Sequence, residues 1–184
     1  MSTSILRAAV DRRLEPWFDH LGEDRIGYTN HVLRVLRLCD VLAAAYGFEP
    51  VPSEREEFLT SAAFHDLGVW TAGTFDYLAP SVDLAVAWLR DIARPDLIPV
   101  VTNMIGEHHR LRSAAAPSDR VEIFRRADAV DVEMGRLGRF GVSRAEYRRL
   151  EAEFPDAGFH RRLLQLGAKR LRTHPLSPLP MIKW

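Results

Sequence analysis

Residues 52–70, "PSEREEFLTSAAFHDLGVW", raise the questions of fold and chemistry together. Ser53 with Glu56 three residues later is a capping-box pattern, so a helix is predicted from Ser53 to a stop at Gly68. Near its end, His65 and Asp66 stand side by side between Phe64 and Leu67. Burying an ionisable pair costs roughly several kcal/mol unless it is paired or bound to a metal. The pair is therefore either a satisfied polar plug or the holder of an ion.

Working outward, the other segments also read as helices. Residues 4–21 carry apolar side chains at helical spacing, with Pro16 expected to kink or split the helix. A helix over 30–46 takes Asn30 as its cap and Gly47 as its stop, and one over 81–93 takes Ser81 as its cap. Residues 96–109, 119–135, 143–153 (capped by Ser143, with Glu146 three residues on) and 157–173 complete the set. The tail "THPLSPLPMIKW" holds three prolines and is not helical, but its Leu, Met, Ile and Trp are apolar enough to pack along the body. No stretch alternates as a strand would. The reading is an all-α, single-domain helical bundle over residues 1–184 with an extended Pro-rich C-terminal tail.

Composition sets outer bounds. The chain is 184 residues long, 47 % hydrophobic and 27 % charged, an ordinary balance for a globular domain. No apolar run is long enough to cross a bilayer, the N-terminus has no signal-peptide core, and Cys39 is the only cysteine, so a cytoplasmic protein is expected. Lys+Arg and Asp+Glu both total 25, which argues against general nucleic-acid binding. The charge is unevenly spread, with 16 Lys/Arg and 9 Asp/Glu in residues 110–184. A dipolar surface accounts for that, although arginines facing an anionic ligand would do so too.

Two further segments bring polar residues inward. His31 shares a face with Val35, Leu38 and Leu42, and Asp128 shares one with Val121, Phe124 and Val132. Asp131 is a weaker rival one turn on. Singly, an inward His is a hydrogen-bonded core histidine and an inward Asp a tie to an arginine, for which Arg34, Arg125 and Arg126 are at hand. Together, His31, His65, Asp66 and Asp128 make an N2O2 set that suits one divalent ion among Mn, Fe, Co, Ni, Mg and Zn.

The ordered pattern of His31, then His65-Asp66, then Asp128, in the contexts "HVLRV", "AAFHDLG" and "RRADAVD", resembles the HD-domain superfamily of metal-dependent phosphohydrolases. The resemblance spans about residues 26–135, leaving C-terminal helices and tail at 136–184. It implies one divalent metal bound by His31, His65, Asp66 and Asp128. Branches of the superfamily with two metals carry further histidines before the last aspartate. His108 or His109 of "IGEHHRLR" matches the second of these, but no histidine lies between Asp66 and His108, where Asp83 is the only inward-capable acid. His108 and His109 are thus either a substrate or outer-sphere pair or a surface pair at the cleft rim.

Such a site would activate water against phosphorus or carbon. Asp66, His108 and His109 are the catalytic candidates, with Glu107 and Asp83 as further acid–base options. Arg34, Arg110, Arg112 and Arg125 could clamp a phosphate. The expectation is a metal-dependent hydrolase, most simply a phosphohydrolase on a small anionic substrate such as a nucleotide. Trp70, Phe75, Tyr77 and Trp88 would equally suit a small uncharged pocket, so a cyanamide hydratase-like activity is the alternative within enzymes. A non-catalytic metal-binding regulatory module is the other. The expected partner is a small-molecule substrate, not a membrane, and a homo-oligomer is compatible with the sequence.

Overall fold

The computed structural model describes residues 1–177 and 180–182. Among these residues there are ten α-helices and no β-strand, so the fold is all-α. No helix among them is long and apolar enough to cross a membrane.

Helix α1 (Thr3–Leu14) ends where Pro16 enters a 3-10 turn, and the short α2 (Phe18–Leu21) follows, so the predicted helix is split as expected. The longest helix, α3 (Arg25–Ala43), has 14 of its 19 residues buried, so it must be enclosed on nearly all sides. It packs against α1, α4 (Glu56–Phe64) and, most extensively, α8 (Arg120–Val132). Then come α5 (Gly68–Thr71), α6 (Leu78–Asp91) and α7 (Ile98–Glu107) before α8, and α9 (Arg144–Glu153) and α10 (Phe159–Thr173) after it. Val32, Val35, Leu38, Phe58, Leu67, Val101, Ile123 and Phe124 join in one core. Each such side chain contributes roughly 1.5–3 kcal/mol when fully buried.

Several predicted helix starts move. Asn30 lies inside α3, where its amide donates to Pro155 O at 2.8 Å and its oxygen accepts from Arg7 at 2.9 Å. Ser53 sits in a 3-10 turn (Pro52–Glu54) and its N–H goes to Asp40, while α4 starts at Glu56 without a side-chain cap. Ser81 is buried within α6 and its hydroxyl accepts the Gly68 N–H at 3.0 Å. Ser143 does cap α9 with Glu146 in a reciprocal box. Gly68 opens α5 rather than ending α4, and a Cβ there would stand 2.5 Å from Tyr77 O. Glycine thus permits the close approach of α5 and α6. In the tail, Leu176 is fully exposed, whereas Met181 packs on Val69, Phe75 and Tyr77. Leu179 and Trp184, also expected to pack along the body, lie outside the described residues.

Candidate metal centre

Four helices deliver polar side chains to one buried point. His31 comes from the middle of α3, His65 and Asp66 from the turn that follows α4, His108 and His109 from the turn that follows α7, and Asp128 from α8. Adjacent residues of a continuous helix point about 100° apart, so the breaks after Phe64 and Glu107 are what let each adjacent pair turn inward. His31, His65, Asp66, His108 and Asp128 are all at most 3 % exposed, and His109 is the partly exposed member.

Each histidine has one ring nitrogen engaged by an outer acceptor or hydroxyl. His31 Nδ1 donates to Asp131 Oδ2 at 2.7 Å, His65 Nδ1 to Ala62 O at 2.9 Å, and His108 Nδ1 to Ile105 O at 2.7 Å. Tyr77 donates its hydroxyl to Asp66 Oδ1 at 2.7 Å, so His109 Nε2, 2.6 Å away, must donate to the tyrosine oxygen. The remaining nitrogens, Nε2 of His31, His65 and His108 and Nδ1 of His109, all face the centre. Fixing one nitrogen in this way sets which nitrogen a metal can use.

The carboxylates divide their oxygens between two halves of this centre. Asp66 Oδ2 lies 3.8 Å from His31 Nε2 and 3.5 Å from His65 Nε2, while Oδ1 lies 3.3 Å from His108 Nε2. Asp128 Oδ1 lies 3.8 and 3.4 Å from the same His31 and His65 nitrogens, while Oδ2 lies 4.0 Å from His109 Nδ1. The His31 and His65 nitrogens are 3.0 Å apart. Donors on one ion with bonds of about 2.1 Å stand about 3 Å apart at a right angle and about 4 Å apart when opposed. The distances of His31 and His65 to each carboxylate fall within that span, and His31, His65 and Asp128 form one group of mutually close donors while Asp66 groups with His65 and His108. His108 Nε2 and Asp128 Oδ1 are buried with no hydrogen-bond partner among the described residues, as donor atoms reserved for a cation would be. The cluster could therefore hold a divalent metal ion.

The electrostatics agree. Burial alone would lower the His65 pKa, but Asp66 and Asp128 overcome it and lift the group to about 9. Burial opposes ionisation of Asp66 and Asp128 too, yet the surrounding histidines hold both below the usual carboxylate range. Burial depresses His31 despite the pull of Asp131, and burial together with His108 takes His109 down to about 4. A proton and a cation thus compete for His65 Nε2, the only outlet left once Nδ1 is committed.

The HD-domain family profile matches residues 28–133, more than half of the chain. This chain belongs to the HD-domain family. No curated protein and no solved structure gives a match. The family is one of metal-dependent phosphohydrolases, and its matched span carries all six inward residues.

Other residues of this HD domain take roles that its sequence left open or concealed. Tyr77, read only as an aromatic wall, links Asp66 to His109 through its buried hydroxyl. Asp131 is completely buried; besides His31 it accepts from Arg34 at 2.6 and 2.9 Å and from Tyr147 at 3.1 Å. Burial disfavours its charge, but His31 and Arg34 keep its carboxyl far below the usual range. Its i+3 spacing from Asp128, on one helix face, was the available signal. Arg34 is not a phosphate clamp: it is wholly buried between Asp131 and Phe154 O. Nor is Arg125, which is buried against Glu122 and Arg110 O. Arg110 is half-buried and Arg112 exposed. Asp83 is exposed on α6, and Trp88 packs on Phe64 with its indole N–H donating to Glu56; neither joins the cluster. Val132 is 39 % exposed, so the inward face of α8 stops short of it.

Proposed function

We propose that this HD domain is a metal-dependent hydrolase, most simply a phosphohydrolase on a small anionic substrate such as a nucleotide. The supporting observation is that four oriented ring nitrogens and two carboxylates form overlapping donor groups in one largely buried cluster. His31, His65, Asp66 and Asp128 would hold the ion, one divalent cation among Mn, Fe, Co, Ni, Mg and Zn. When bound, such an ion supplies Lewis acidity and a water of lowered pKa. The chain's own contribution is the hydrogen-bonded line from His109 through Tyr77 to Asp66, which holds a proton at Tyr77 Oη and presents His109 Nδ1 toward Asp128. His109, with 21 % of its side chain exposed, is the member of the cluster open to solvent and thus the proton donor or acceptor nearest a substrate. His108 and Asp66 complete the catalytic set. Arg110 and Arg112 follow directly in sequence and can bind a phosphate group.

One observation favours a second stoichiometry. His108 and His109 form another donor group with Asp128, and the second oxygen of Asp66 lies 3.3 Å from His108 Nε2. Metal analysis of protein purified without a histidine tag decides between the two. About one ion per chain, abolished by Asp66→Ala and by His31→Ala, is the expected result. His108→Ala and His109→Ala should keep that ion and lose activity. About two ions, falling to one in His108→Ala, would establish the two-ion arrangement instead. Phosphate release from a nucleotide panel with Mn, Co, Ni or Mg tests the reaction. Turnover of cyanamide alone would replace phosphohydrolase with hydratase, and metal binding without turnover of any substrate would leave a regulatory module.

A further inference from the structure

A pocket of about 280 Å³ has Trp70 in its wall and shares none of its lining residues with the metal centre. Its walls are Val69, Trp70, Phe75 and Leu166; its rim is Gly73, Thr74, His20, Arg162 and Lys169. Three basic residue types and no carboxylate line it among the described residues. Gly73 has φ +62° and open space where a Cβ would stand, so the loop turns sharply there without filling the mouth. Asp24 lies just behind: its Oδ2 accepts the Trp70 indole N–H at 2.9 Å and stands 2.9 Å from Arg162 Nε. One carboxylate thereby hydrogen-bonds the aromatic wall and forms an ion pair with the guanidinium, which makes no side-chain hydrogen bond among the described residues. A guanidinium that lines the pocket in this way is suited to a planar or tetrahedral anion.

We propose that this pocket binds a small organic anion, a phosphate or carboxylate carrying one planar ring. Arg162 and Lys169 take the anionic group, with His20 beside them, and the ring lies on Trp70 and Phe75. The volume is just below the roughly 300–1,000 Å³ of drug-sized ligand pockets, enough for one ring and too small for a dinucleotide. The pocket is separate from the metal centre. Trp70 contacts the rings of Tyr28 and Phe159, with centroids 4.8 and 6.4 Å away, and Phe159 stacks on His31 at 4.2 Å. These ring contacts link the pocket wall to His31. The proposal does not depend on the centre being catalytic.

Phenyl phosphate is the probe, with benzoate, cyclohexyl phosphate and inorganic phosphate alongside, titrated into the metal-free protein. The Trp70 indole N–H resonance in a proton–nitrogen NMR spectrum is the readout, assigned by Trp70→Phe. Saturable shifts of that resonance are expected, with phenyl phosphate or benzoate binding at least tenfold more tightly than inorganic phosphate. The ring-free cyclohexyl ester should bind more weakly than its phenyl counterpart. Arg162→Gln and Lys169→Gln, both at solvent-accessible positions, should each weaken binding about tenfold, and Asp66→Ala should leave it unchanged. No saturable shift, equal binding by all four anions, or loss of binding in Asp66→Ala with the Trp70 resonance otherwise in place would each overturn the proposal.

Discussion

Asp131 holds two buried partners at once, the His31 ring and the Arg34 guanidinium. Asp131→Asn removes the charge that Arg34 needs, and breaking a buried pair from one side costs roughly 3–5 kcal/mol. It also weakens the acceptor for His31 Nδ1–H, and loss of such an outer partner typically lowers metal affinity about 10–100-fold. Urea unfolding and metal titration of the variant should show both effects. Stability lost with metal affinity intact would mean that the residue ties α3 to α8 and no more. His31, His65, Asp66 and Asp128 were legible in the sequence because ionisable residues on apolar faces demand a common explanation. Asp131 was not, because its two partners lie about a hundred residues away. Arg34 stood open in the sequence between a tie to an inward aspartate and a phosphate clamp, and the structure gives the tie, with Asp131 as the aspartate. Tyr77 escaped because its hydroxyl reaches Asp66 only through the return of the 72–77 loop.

Helices as such were legible, and their starts were not. Ser143 is exposed, so nothing competes with its local capping bonds, and the sequence pattern holds. Asn30, Ser53 and Ser81 are buried, and tertiary or inter-element partners claim the side chain or backbone that a cap would have used. Polar residues of one type thus act as caps at the surface and as braces inside, and burial decides which. The brace at Ser81 meets Gly68 at the α5–α6 contact, two residues beyond Asp66. A Cβ at position 68 would come within 2.5 Å of Tyr77 O and 2.8 Å of Ser81 Oγ. Backbone on one side cannot yield cheaply, so Gly68→Ala should destabilise the fold by about 1–3 kcal/mol through overpacking. It should also displace Tyr77 and so reduce activity at unchanged pH. A thermal melt indistinguishable from the wild type would show that α5 and α6 slide apart freely.

At the scale of the whole molecule, the family match ends at residue 133, yet the chain beyond it closes the same centre. Phe154 O accepts from Arg34, Pro155 O from Asn30, and the Phe159 ring stacks on His31. On the opposite side, Glu122 braces the loop that follows the histidine pair. It is fully buried, accepts from Arg125 at 2.9 and 2.8 Å and from Arg126 at 2.7 Å, and takes the Ala114 N–H at 2.9 Å. Arg125 in turn donates to Arg110 O at 3.0 Å, which fastens that loop to α8. Burial alone would raise the Glu122 pKa, but Arg125, the Ala114 amide and Arg126 outweigh it and take the pKa from 4.5 to about 2. The folded chain therefore releases this proton more readily than the unfolded chain does. The resulting stability is present in full above about pH 4.5 and disappears as pH falls through about 2. Glu122→Gln should lower stability at neutral pH, and the gap from the wild type should narrow steadily over that acid window. Urea unfolding at half-unit steps from pH 6 to 2 measures the gap directly. A gap that stays constant across the window would mean that Glu122 stabilises the loop by shape and neutral hydrogen bonding, and that its charge contributes nothing.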